Sequence, residues 1–117
     1  DRAQPARSAE LLAGAVRSAL ALADARGLKK VALPAISSGI FGYPLEEAAR
    51  VLLGSALEYV RGETGLERVI ICLYGRATFD VAYRFLQECP WQRLFHRLQL
   101  HALYAGADQR LPHRGIR

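Results

Sequence analysis

The chain has 117 residues, 51% of them apolar and 23% charged, with a formal charge of +5. That is enough for one domain and too rich in hydrophobes for a disordered tail. No apolar run reaches the roughly 18 residues that a membrane span needs, and the polar, Arg-bearing start is not a signal peptide.

In chain order, residues 9–26 are predicted to form a helix. Leu12, Ala15, Val16, Ala19, Leu20, Leu22 and Ala23 recur at helical spacing, Ser8 is placed as its N-cap, and Gly27 as the residue that closes it. Lys30 to Ile36 is short, apolar and bounded by turn signals, which predicts a buried strand made irregular by Pro34. A loop over 37–43 follows. Pro44 then sits where an N1 proline belongs, and a helix is expected to run to about Arg61 and stop at Gly62. Arg68 to Tyr74 (RVIICLY) predicts a second strand. Phe79, Ala82, Tyr83 and Leu86 mark a third helix ending near Cys89-Pro90. Trp91, Leu94, Phe95 and Leu98 at i, i+3, i+4, i+7 predict a fourth, and the chain beyond Gly106 reads as a polar, disordered tail.

Strands followed by helices long enough for a crossover predict an α/β fold with parallel strands, buried on both faces. Two such strands need neighbours. Together with the absence of methionine, which initiator removal alone would also explain, this leads to the expectation that the chain is the C-terminal part of a larger α/β domain, the remaining strands lying upstream or coming from another molecule. The predicted division is 1–89 for the α/β portion and 90–117 for a C-terminal helix and basic tail.

The basic excess is local. From Pro90 onward there are five arginines (Arg93, Arg97, Arg110, Arg114, Arg117) against Asp108, while the first 89 residues are close to neutral. The tail is read as a solvated C-terminus, with nucleic-acid binding as a weaker alternative. Cys72 and Cys89 lie 17 apart without zinc or disulfide spacing, which fits a cytoplasmic protein. Cys72 reads as a core residue and Cys89 as an exposed thiol with nothing to activate it. His96 and His101, placed five apart on a helix, and His113 have no metal-ligand spacing, so neither metal nor cofactor is expected.

The segment that carries chemistry is PAISSGIFGYP, residues 34–44. Ser37, Ser38, Gly39 and Gly42 leave their backbone N–H groups unobstructed, and the following helix adds the positive end of its dipole. Ligands of open α/β sheets bind at such carboxyl ends of strands. Two readings stay open on local physics: an anion-binding concavity, with Phe41 and Tyr43 walling a sugar or base, or a tight βα turn. No lysine follows the glycines, so this is not a Walker loop.

PAISSGIFGYP resembles the second phosphate-binding loop of macro domains, the ADP-ribose-binding α/β/α family. The flanking AVRSALALADARGLKKVALPAISSGIFGYPLEEAARVLL and RVIICLYGRATFDVAYRFLQE look like that family's helix-strand-loop-helix and its last strand and helix, a likeness over about residues 9–89. The resemblance implies a three-layer fold with a mainly parallel central sheet, lacking its N-terminal strands here. It implies ADP-ribose, or an ADP-ribosylated protein, as ligand. Ser37, Ser38, Gly39, Ile40, Phe41, Gly42 and Tyr43 would wrap the diphosphate and distal ribose. Tyr74 would stack on adenine, or be an ordinary strand-end tyrosine, and Arg76 would border that pocket or be solvated. The family's Asn-containing segment and glycine-rich first loop do not occur before Ser37, and 37–43 holds no acid. The expectation is therefore a binding module with no catalytic residue of its own. The alternative is an ADP-ribosyl or O-acetyl-ADP-ribose hydrolase whose catalytic loop lies in the N-terminal half. Self-association, or a complementing N-terminal half, would complete the sheet.

Overall fold

The computed structural model describes residues 5–36, 45–90, 92–104 and 107–110. Three helices, α1 (Pro5–Ala25), α2 (Leu45–Arg61) and α3 (Arg76–Glu88), alternate with β1 (Lys30–Ile36) and β2 (Arg68–Tyr74). A 3₁₀ stretch (Gln92–Arg97) then leads into β3 (Leu98–Tyr104) and β4 (Ala107–Arg110). The sheet order is β1-β2-β3-β4. The first three strands are parallel and β4 returns antiparallel on β3.

α1 begins four residues before the expected start, at Pro5, whose fixed φ and missing N–H suit a first helical turn. It buries Leu12, Val16, Leu20 and Ala23, one stripe at helical spacing. Its end is a Schellman motif. Gly27, at φ 73°, donates to the Asp24 carbonyl at 2.9 Å, and the Leu28 N–H donates to the Ala23 carbonyl at 3.0 Å. α2 has Glu46 and Glu47 in its first turn and Arg61 in its last, each complementing the helix dipole.

β1 and β2 lie where the sequence places them. In β1 the register with β2 slips between Leu33 and Ile36, around Pro34, which has no N–H to give to a ladder. β2 alternates strictly in burial: Val69, Ile71 and Leu73 are buried, while Arg68, Ile70 and Cys72 are half-buried. The buried set joins side chains of α1, α2 and α3 in one core. The described helices thus share one core with one face of the sheet, and the other face is only partly covered. Burial of both strand faces, as expected from their apolar runs, holds for one face.

The region after Pro90 differs from expectation. The fourth helix is absent from the described residues: only 92–97 turns, as 3₁₀ helix, and Leu98 opens a strand. The signal was the alternation Leu98-Gln99-Leu100-His101-Ala102, period two, overlapping a helical period that ends at Leu98. Tertiary context decides between them. β2 needs a partner on its second edge, and pairing puts Leu98, Leu100 and Ala102 opposite Val69, Ile71 and Leu73, on the face that meets the helices. Residues 107–110, expected in a disordered tail, pair with β3 as β4. The 3₁₀ stretch is tied down by the Arg97 guanidinium, which donates to the Val60 carbonyl in the last turn of α2 at 3.1 Å.

Candidate functional site

Because β1, β2 and β3 are parallel, their carboxyl ends share one edge of the sheet, and α2 and α3 begin on that side. This is where an open α/β sheet presents ligand-binding groups. Residues Ser37, Ser38, Gly39, Ile40, Phe41, Gly42 and Tyr43, which leave β1 at this edge, lie outside the described residues.

Tyr74, the last residue of β2, is described. Its neighbour Leu73 is fully buried, whereas Tyr74 is 58% exposed, as expected for a ring at the rim of a sheet. Gly75 then turns the chain into α3 in a single residue at φ 95°, a conformation open to glycine and strained for any other residue. α3 starts at Arg76, and its first intrahelical bond runs from the Phe79 N–H to the Gly75 carbonyl at 3.2 Å. Arg76 is exposed and faces Asp80 at 3.8 Å, a solvent-screened i,i+4 pair. One polar side chain in this turn is not exposed: Thr78, at 2%.

The other residues singled out in the sequence do not assemble here. Cys72 is half-buried in the middle of β2, beside His101 of β3 in the ladder register. Cys89, expected exposed, is buried: it ends α3, donating from its N–H to the Leu86 carbonyl at 3.1 Å, and its side chain closes the core under that helix. His96 and His101 are not on one helix. His96 lies in the 3₁₀ stretch with Nδ1 2.9 Å from the Arg93 carbonyl oxygen, and His101 lies in β3. His113 and Trp91 are outside the described residues. Among the described residues no group of three or more His, Cys, Asp or Glu could hold a metal ion. None of the described helices is long and apolar enough to cross a membrane.

Sequence reasoning missed a dense polar cluster among the described residues, at the opposite end of the strands. The Asp24 carboxylate accepts from the Tyr59 hydroxyl at 2.6 Å, from the Thr64 hydroxyl and from the Gly65 N–H at 2.9 Å. The bonds from Thr64 and Tyr59, with smaller help from Gly65 and Lys29, hold the Asp24 carboxyl below its ordinary range, and the same bond pushes the Tyr59 hydroxyl up. The arrangement clamps the end of α1 to the end of α2 and to the turn entering β2. An acid in the last turn of a helix, against the dipole, was the available signal.

The macro domain family profile matches residues 2–52. A macro domain-containing protein of Chlorobaculum tepidum is 40% identical over 78 residues, 67% of this chain and 45% of its own length. An O-acetyl-ADP-ribose deacetylase of Klebsiella pneumoniae is 35% identical over 82 residues, 70% and 47% of the two chains. An ADP-ribose glycohydrolase of Xenopus laevis is 37% identical over 78 residues, 66% of this chain and 19% of its own. No solved structure matches. The chain spans about half the length, or less, of these curated relatives. These matches support a macro domain over the part of the chain that they cover.

Proposed function

We propose that this chain binds ADP-ribose, free or attached to a protein, at the carboxyl edge of its parallel strands. The 37–43 loop would be the diphosphate cradle and Tyr74 the face for the base. The observation that carries this reading is the run PAISSGIFGYP between β1 and α2. It lies wholly within the profile match and leads straight into α2. The exposed ring of Tyr74, on the strand beside β1, supports it. Two free cysteines without a disulfide fit a cytoplasmic setting.

Calorimetric titration of ADP-ribose into the 117-residue chain, with AMP as control, tests it. Micromolar binding with weaker AMP binding is the expected result. Gly39→Glu, which puts a carboxylate against the diphosphate, lowers affinity by at least about tenfold if the loop is the cradle. Unchanged affinity removes the loop from the site.

A second reading rests on the relatives called deacetylase and glycohydrolase. In it the whole protein hydrolyses an ADP-ribose ester or glycoside, and this chain supplies ligand-binding parts. The sequence before Ser37 has no Asn-rich segment or glycine run to position a reacting group, and 37–43 has no acid. The expected outcome is that the chain alone, given O-acetyl-ADP-ribose, binds without turnover.

A further inference from the structure

We propose that the N-terminus of α3 is an oxyanion subsite, taking a phosphate group on the backbone N–H groups of its first turn and on the Thr78 hydroxyl. None of its groups belongs to the 37–43 loop.

Every helix begins with N–H groups that have no intrahelical partner, and proteins ordinarily meet them with a capping side chain or an acid. α3 has neither. Its N-cap is Gly75, which makes no side-chain cap, and its first turn holds no acid, in contrast to α2 with Glu46 and Glu47. The N–H groups of Arg76, Ala77 and Thr78 precede the first bond of the helix ladder, at Phe79. Among the described residues nothing caps the positive end of this thirteen-residue helix, which lies at the edge of the sheet where ligands bind.

The second observation is Thr78. It shares its buried stripe with Ala82 and Leu86 and is 98% removed from solvent, yet its hydroxyl makes no hydrogen bond with any described residue. A buried hydroxyl without a partner is costly, and native structures rarely keep one. It is aimed at the N-cap. Leaving aside chain neighbours, the Thr78 Oγ1, at 4.0 Å, is the one described atom within 4 Å of where a Cβ on Gly75 would stand. Among the described residues, Gly75 thus leaves open a space that a side chain would fill, bordered by N–H groups and a hydroxyl that have no described partner. An oxyanion satisfies all of them together. The exposed Arg76 guanidinium lies at the mouth, 3.8 Å from the Asp80 carboxylate with which it pairs.

The chemistry fits inorganic phosphate or the phosphate of a nucleotide, and Tyr74, exposed beside Gly75, favours the second by offering a ring for a base. Amide-resolved NMR on the full chain separates the cases. Titration with inorganic phosphate is expected to shift the amides of Gly75 to Thr78 saturably. AMP is expected to shift the same amides at lower concentration and to move Tyr74 too; equal affinity for both assigns the site to phosphate alone.

Ala77→Asp is the decisive variant. Ala77 is exposed, so the fold is kept, and the new carboxylate takes the free donors itself. Phosphate affinity is expected to fall at least about tenfold while Tm rises. Thr78→Val, equal in shape, is expected to weaken phosphate by about three- to tenfold. Phosphate shifts that bypass 75–78, or wild-type phosphate affinity in Ala77→Asp, overturn the proposal. Gly39→Glu leaves the phosphate shifts at 75–78 in place, so loss of ADP-ribose binding through the 37–43 loop and loss of this subsite read out separately.

Discussion

Asp24 stands in the last turn of α1, where a negative charge meets the negative end of the helix dipole. It is held there by three donors from residues 35 to 41 positions away in sequence. That arrangement has a signed consequence. The Asp24 carboxyl titrates below its ordinary 3.8, chiefly through its bonds from Thr64 and then Tyr59. Its contribution is therefore complete above about pH 4 and is lost as pH falls through the lowered value. Tyr59 titrates above its ordinary 10.0, chiefly through the same bond. Its contribution is complete below about pH 10 and is lost as pH rises toward the raised value. Asp24→Ala leaves the Tyr59 and Thr64 hydroxyls without this acceptor. It is expected to lower Tm by several degrees at pH 7 and to flatten both limbs of the stability profile. Thermal melts of wild type and variant from pH 2.5 to 11 check this; parallel profiles would remove the clamp from the account. At this scale the sequence is least legible. Tyr74 was visible as a strand-end aromatic, because one residue and its place in a strand suffice. The Asp24 partners were not, because only the folded turn after α2 brings them together.

Whole elements were easier to read where one period stood alone. β1 and β2 are bounded by turn residues on both sides, and their limits agree with those read from sequence. α1 and α2 carry unambiguous apolar stripes. β3 reads as helix in the sequence because a helical period through Trp91, Leu94, Phe95 and Leu98 overlaps a strand period beginning at the same Leu98. Local pattern has no means of ranking the two; the unpaired edge of β2 does. The resulting ladder makes a prediction about dynamics. β2 is bonded on both sides, whereas β1 is the outer strand of the described sheet and contains Pro34. Amide hydrogen exchange should be slowest in Val69 to Leu73 and faster in Val31 to Leu33. Equal protection would mean that β1 has a partner on its outer side. Leu100, fully buried on β3, gives the energetic counterpart. Leu100→Ala is expected to cost about 2–5 kcal/mol, measured by urea unfolding, because the cavity opens in the core that the sheet shares with the helices.

For the whole molecule the question is whether the segment after Pro90 is an appendage to an α/β unit or part of it. The sequence suggests a boundary there, with a shift to basic composition after a Cys-Pro pair. The packing argues for one unit. β3 lies between β2 and β4, Leu98 and Leu100 are fully buried in the same cluster as α1, α2 and α3, and Arg97 holds the end of α2. Removing residues 90–117 takes away two fully buried leucines, each of the class worth about 2–5 kcal/mol, and opens the second edge of an apolar strand. A domain of this size has only about 5–15 kcal/mol of net stability to lose. The 1–89 fragment is therefore expected to lose cooperative unfolding and to associate through β2. Far-UV circular dichroism during heating, with sedimentation to read its size, provides the measurement. A sharp transition in a monomeric 1–89 fragment would restore the boundary at residue 89, and with it the basic segment as a separate module.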